Sequence, residues 1–292
     1  MSSWGQPNQS QFKLKYTDIF YRVSKFGHGS NFQNFLKCLL FSKHLKKPLY
    51  LCDTTNNISE TLHLILDTFE SIPNVKYTNK KGLTVFEDKL IELNNFLSKL
   101  SPDDIYREAR VIFKWSQKIQ SIINSTLSES AFPQFDLGVH IRTGDKITSG
   151  EMKAISLDTY VAAIREAQTS MGKSTMSIYV MTDNSSIISQ LKAISDPSWS
   201  LYYLEPPIKA ETGHDQATYN KRSVNDKMAS YHHFLTEIHI LQRCPYIVCT
   251  YSSNIGRFLF MTREPGVQIK SLDWPVFTIL HDMSSLYSTP EH

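Results

Sequence analysis

The sequence lacks the marks of several function classes, and each lack narrows the reading. No Asp-x-Asp occurs, and no His/Glu pair carries metal-site spacing. Chemistry with no metal and no cofactor is therefore expected. The four cysteines, Cys38, Cys52, Cys244 and Cys249, form no Cys-x-x-Cys and no zinc pattern. Reduced thiols in the core and a reducing, cytoplasmic compartment are expected. No stretch approaches the roughly 18 apolar residues of a membrane span. The most apolar one, Phe35–Phe41, is interrupted by Lys37. The first residues, Met1-Ser-Ser-Trp-Gly-Gln-Pro-Asn8, show no charged segment followed by an apolar one, so no signal peptide is expected. Sequons such as those at Asn57 and Asn124 then carry no meaning. A formal net charge of +3 is too small to argue for nucleic acid or an anionic membrane surface. No Lys/Arg cluster interleaves with aromatics as a strand-tracking groove requires.

What is present is an alternation of short apolar runs and helical periods. Hydrophobic content of 41% and charged content of 20% are ordinary for a globular protein, and 292 residues allow one large or two medium domains. Asp18–Ser24 reads as a strand, followed by Lys25-Phe-Gly-His-Gly-Ser30. Asn31–Lys46 has the period of a helix, and Pro48–Cys52 reads as a second strand. Gly27, His28 and Gly29 thus stand at a strand-to-helix turn. Glycines there let a ligand approach a helix N-terminus, but two glycines are a weak motif and on their own favour a plain connecting turn. Asn57–Glu70 suggests a helix, and Pro73–Val85 short strands or loop. Pro102–Thr126 suggests one long amphipathic helix with Ile105, Ala109, Ile112, Trp115, Ile119 and Ile122 on a face. Leu127–Gln134 reads as a linker, dividing the chain into 1–132 and 133–292.

The second half repeats the pattern. Strands are expected at Leu137–Ile141, Met176–Met181, Ser200–Leu204 and Tyr246–Thr250. Helices are expected at Leu157–Ser170, Ser185–Ile194, Val224–Arg243 and Ile255 to about Thr262. A long polar loop, Glu205–Ser223, lies between them. The fold class is α/β, with two Rossmann-type halves and a cleft between them.

Ligands of open α/β sheets bind beyond the carboxyl ends of the strands. Three such ends carry chemistry. The first presents His140, Arg142, Asp145 and Lys146, two cations and a carboxylate suited to a phosphorylated ligand. The same loop also reads as a solvated turn with a surface ion pair between Arg142 and Asp145. The second end carries Asp183 and Asn184. The third carries Ser252, Ser253 and Asn254 at a helix start, which suits an anion or is a simple cap. Glu237 stands alone in the apolar run Phe234-Leu-Thr-Glu-Ile-His-Ile-Leu241. Such a carboxylate could accept from guanine N1 and N2, or be held by a nearby cation.

At this point the residues resemble a family. Lys25-Phe-Gly-His-Gly-Ser-Asn-Phe-Gln33 resembles the glycine loop and first helix of the fucosyltransferase group of GT-B glycosyltransferases, closest to the α1,6-fucosyltransferase type. Val139-His-Ile-Arg-Thr-Gly-Asp-Lys146 resembles its basic donor motif. Tyr179-Val-Met-Thr-Asp-Asn184 resembles its second motif, and Ile247–Asn254 with Ser271-Leu-Asp273 its third. The resemblance implies a GT-B-like fold and an inverting, metal-independent glycosyl transfer. GDP-fucose would be the donor, and a glycan hydroxyl the acceptor. It implies that Arg142 binds the β-phosphate with His140 in support, that Glu237 reads guanine, and that Ser252, Ser253 and Asn254 meet the diphosphate. Asp183 and Tyr160 would line the donor pocket, with Gly27, His28 and Gly29 on its other side. Glu151 would be the general base, with Asp145 as the alternative, and Lys146 would lie between base and diphosphate. The chain departs from the pattern at Thr143, where the family has a second arginine, and at Glu237, where it has an aspartate. These changes keep two other readings open: a UDP-sugar donor such as UDP-xylose, and a nucleotide- or glycan-binding protein without catalysis.

Overall fold

The protein is described from a computed structural model, which places residues 19–22, 28–52, 68–69, 75–78, 95–150, 152–208 and 213–275. The described residues form two parallel sheets. The first holds β1 (Ile19–Arg22), β2 (Leu49–Cys52) and β3 (Val75–Thr78) in that order, with Leu49 facing Ile19 on one side and Val75 on the other. Helix α1 (His28–His44) joins β1 to β2. Its apolar spacing buries Phe32, Phe35, Leu36, Leu39 and Leu40, while Lys43 and His44 favour the negative helix end. It begins three residues before the expected start, so His28 and Gly29 lie in its first turn. Gly27 falls outside the described residues, as does most of the helix expected over Asn57–Glu70.

The expected single helix over Pro102–Thr126 is two, α2 (Pro102–Ile112) and α3 (Gln117–Ser130). Two caps set the helix starts. Ser101 and Asp104 close a reciprocal capping box, and Ser116 accepts from the Ile119 amide. The break is anchored in space. The Ser116 amide bonds to the Thr68 carbonyl, Trp115 bridges to Phe69, and the Phe113 ring lies 4.6 Å from that of Phe69. Aromatic packing wins over the helical period there. Helix α3 continues through the first half of the expected linker, stopping at Ala131 in the left-handed conformation.

The second sheet has five parallel strands, ordered β6-β5-β4-β7-β8. These are β4 (Leu137–Ile141), β5 (Met176–Thr182), β6 (Trp199–Tyr202), β7 (Tyr246–Cys249) and β8 (Gln268–Ser271). Between them run α4 (Asp145–Thr148), α5 (Leu157–Ser170), α6 (Ser185–Ile194), α7 (Gln216–Asn220), α8 (Val224–Arg243) and α9 (Asn254–Thr262). Helix α7 occupies part of the stretch expected to be loop. Central β4 is buried throughout, as a parallel strand covered on both faces must be. Val139 and Ile141 pack with Tyr160, Ile164 and Leu191 of α5 and α6 on one face. On the other face Tyr179 and Ile247 join Leu235 and Leu241 of α8, and that core continues into α1, α2, α3 and α9. The strand order reverses between β4 and β7, so the carboxyl ends of these two strands form the crevice in which such sheets bind ligands.

Candidate active site

The loop after β4 is held by one carboxylate. Asp183, just past β5, accepts from Arg142 Nη1 at 2.7 Å, the Thr143 amide at 2.8 Å, Thr143 Oγ1 at 3.1 Å and the His214 amide at 3.0 Å. Asp145 accepts from Arg142 Nη2 at 2.9 Å and from the Gln216 amide at 3.1 Å, and its own amide donates to the His214 carbonyl. The guanidinium and both carboxylates are largely buried, so these pairs are not the solvated surface contacts weighed as the alternative. The two carboxylates balance the charges of Arg142 and Lys146. Any preference of this loop for an anion must then come from directed donors rather than net charge. Arg142 has five N–H donors and the two carboxylates take one each, leaving three to offer a ligand.

The contact with the 213–216 segment depends on two glycines. Gly144 has φ 72° and Gly213 φ 91°, a region that favours glycine, and a Cβ on Gly213 would lie 2.7 Å from Gly144 Cα. The His214 ring sits beside this cluster. Burial, then the charge of Arg142, depresses its pKa, which leaves the imidazole neutral near pH 7.

After β7 the chain turns through Tyr251–Ser253 into α9. Ser253 is the N-cap, its hydroxyl accepting from the Ile255 amide at 3.2 Å. Asp273 holds the turn from below, accepting from the Tyr251 amide at 2.8 Å, the Ser252 amide at 3.1 Å and Ser271 Oγ at 2.7 Å. Burial raises the Asp273 pKa, but the neighbouring Ser252 and Ser271 hydroxyls and the Trp274 and Tyr251 amides outweigh it and hold the carboxyl below its usual range. The Ser252 hydroxyl sits beside the same carboxylate without completing a hydrogen bond. Ser252 Oγ, Thr250 Oγ1 and His140 Nδ1 are buried and have no hydrogen-bond partner among the described residues. All three belong to β4, β7 or the turn that follows, at the reversal of strand order. Buried polar atoms normally find partners, so their clustering there marks the ligand crevice. Burial, then the nearby Arg142 charge, lowers the His140 pKa to about 4, so its ring is neutral.

Of the other expected residues, Glu237 lies apart from this group. Glu237 is buried in α8, where Oε1 accepts from the Tyr179 hydroxyl at 3.2 Å and Oε2 lies 3.2 Å from His233 Nε2. Both its oxygens already have neighbours inside the core. Tyr160 is buried on the opposite face of the sheet, and burial raises its pKa. Asn254 accepts from Arg257, and Lys146 lies in α4. Glu151 is outside the described residues, as are 209–212. Gly213, His214, Gln216 and Arg257 went unnoticed in the sequence. Arg257 carries the signal that singled out Glu237, a lone charge in an apolar helix.

Among the described residues no group of three or more His, Cys, Asp or Glu side chains is placed to hold a metal ion. No helix there is long and apolar enough to cross a membrane. A family profile described as alpha-(1,6)-fucosyltransferase N- and catalytic domains matches residues 107–271, all three strand-end loops included. This chain belongs to that fucosyltransferase family. It is a glycosyltransferase of the α/β class, with the parallel sheets expected of it. Solved fucosyltransferases share the fold. NodZ alpha-1,6-fucosyltransferase soaked with GDP-fucose aligns at 13% identity and a TM-score of 0.54, over 85% of this chain and 93% of that one. Fucosyltransferase NodZ from Bradyrhizobium gives 12% and 0.55, over 89% and 97%. POFUT1 in complex with GDP gives 12% and 0.50, over 89% and 100%. No curated protein sequence matches.

Proposed function

We propose that this fucosyltransferase-family chain moves L-fucose from GDP-fucose to a glycan hydroxyl with inversion and without a metal. The family match across 107–271 carries the reading, because it spans the loops that hold Arg142, Asp183 and Ser252. The GDP and GDP-fucose complexes of NodZ and POFUT1 support the donor. Arg142, with its fork oriented by Asp145 and Asp183, donates its remaining N–H groups to the diphosphate. Lys146 and the N-terminus of α9 beyond Ser252 and Ser253 share the developing charge. Glu151 removes the acceptor proton as the acceptor oxygen attacks C1 of the sugar. The C1–O bond breaks, and its electron pair leaves with GDP. His140 supports Arg142 at the β-phosphate, Glu237 reads the guanine, Asp183 and Tyr160 line the pocket, and His28 and Gly29 approach from α1. Residues 1–132 form the acceptor-side half and 133–292 the donor-side half, and the enzyme works in the cytoplasm.

A second reading, a UDP-sugar donor such as UDP-xylose, draws on one observation. The Glu237 carboxylate is engaged by Tyr179 and His233, and a guanine would have to displace these neighbours. Calorimetric titration with GDP and UDP separates the two, and tighter GDP binding is expected. Arg142→Ala should weaken the bound diphosphate by roughly 1.5–3 kcal/mol. Arg142→Lys should restore little, because a lysine lacks the fork. Tighter UDP binding overturns the guanine assignment, and unchanged affinity in Arg142→Ala overturns the phosphate role.

A further inference from the structure

Arg257 is 1% exposed, in the first turn of α9 behind the Ser252–Ser253 turn. Each of its nitrogens reaches a different piece of the protein. Nε donates to Gln33 Oε1 at 3.0 Å, Nη1 to the Tyr251 carbonyl at 2.8 Å, and Nη2 to Asn254 Oδ1 at 2.6 Å. Gln33, 2% exposed on α1, closes the ring by donating through Nε2 to the Asn254 carbonyl at 2.6 Å. The Trp274 ring covers the guanidinium, its centroid 5.6 Å from Cζ.

A buried cation is a poor device for stability alone, since desolvation offsets most of its electrostatic gain. Its planar, divergent donors are what an apolar side chain cannot supply. Here they fix the carbonyl before Ser252 and the side chain after Ser253, while Asp273 fixes the amides of Tyr251 and Ser252 from the other side. The turn is therefore clamped at both ends. Through Gln33 it is also set against α1, whose first turn carries His28 and Gly29.

We propose that Arg257 is a positioning residue for the donor diphosphate: it registers the Ser252–Ser253 turn against α1 so that turn and helix meet the same two phosphates. The proposal rests on the reading of that turn as the diphosphate site. Misplacement of a binding group by about 1 Å can cost roughly 100-fold in rate, so a small relaxation of the turn suffices to matter.

The test compares nucleoside di- and monophosphates on the whole chain, because only the diphosphate depends on the turn. GDP, GMP, UDP and UMP are titrated calorimetrically into wild type, Arg257→Lys and Gln33→Leu, with melting curves to confirm folding. Lysine keeps the charge and loses the fork, whereas Gln33→Leu removes the link to α1 and leaves Arg257 in place. In both variants diphosphate affinity should fall at least tenfold and monophosphate affinity hold within about twofold, so the diphosphate-to-monophosphate ratio collapses. An unchanged ratio in a folded variant overturns the role of Arg257. A wild type that binds diphosphates no better than monophosphates overturns the diphosphate reading of the turn, and the proposal with it.

Discussion

Replacing Asp183 with asparagine tests the hub of the site. The change keeps shape and removes the charge. One amide oxygen can still accept from the Thr143 amide and hydroxyl. The other position becomes an NH2 group facing Arg142 Nη1 and the His214 amide, so donors meet donors. Breaking a buried pair from one side costs about 3–5 kcal/mol. Arg142 keeps Asp145, and the Asp183 side chain retains 13% exposure, so the lower end, about 3 kcal/mol, applies. A chain of this size loses roughly 2–4 °C of melting temperature per kcal/mol, so Asp183→Asn should melt roughly 6–12 °C lower by calorimetry at neutral pH. A double-mutant cycle with Arg142→Ala assigns the share that belongs to the pair, and a coupling of at least about 1.5 kcal/mol is expected. An Asp183→Asn protein melting within about 2 °C of wild type would refute the claim that this carboxylate holds the loop after β4 and the 213–216 segment together.

The neutral, buried His140 sets a pH dependence. With its folded pKa lowered to about 4 and the unfolded value near 6.5, the unfolded chain takes up the proton first as pH falls. Its contribution is full above about pH 6.5 and is lost down to about pH 4. Denaturant titrations of His140→Gln should therefore decline less over that window than wild type, by about 3 kcal/mol, and parallel curves would exclude this origin. Gly213→Ala forces a left-handed φ on alanine and drives its Cβ into Gly144, so it should lower stability by at least about 1–3 kcal/mol and weaken nucleotide binding. Wild-type melting and affinity would contradict that contact. Glu151→Gln should keep donor affinity and lower kcat by roughly 10²–10⁴-fold, as loss of a general base requires, and a wild-type turnover would shift the role to Asp145.

The strands and most helices were legible because burial imposes its own pattern. Leu137–Ile141 is apolar where both faces are covered, and α5, α6 and α8 fall at the expected bounds. The split of α2 from α3 was not, because it is decided by Phe69 and Trp115 meeting across more than forty residues of sequence. The site divides the same way. Arg142, Asp145 and Asp183 were readable at strand ends. That Asp183 would saturate itself on Arg142, Thr143 and His214 was not, since the partner segment lies inside a polar stretch with no periodicity. A serine at a helix start reads alike as cap or ligand. In the fold Ser253 is the cap, while the Ser252 hydroxyl is left for another use.

The position of α1 has a consequence for how the molecule comes apart. The Phe32 ring meets Phe69, Tyr231, Phe234 and Phe258, so one helix joined to the first sheet is embedded among the helices of the second. A protease cutting in the exposed stretch around Ala131–Gln134 would leave fragments that stay associated and elute together. The amides of α1 and α9 should exchange with solvent at a common slow rate, as members of one cooperative unit rather than of two separable ones.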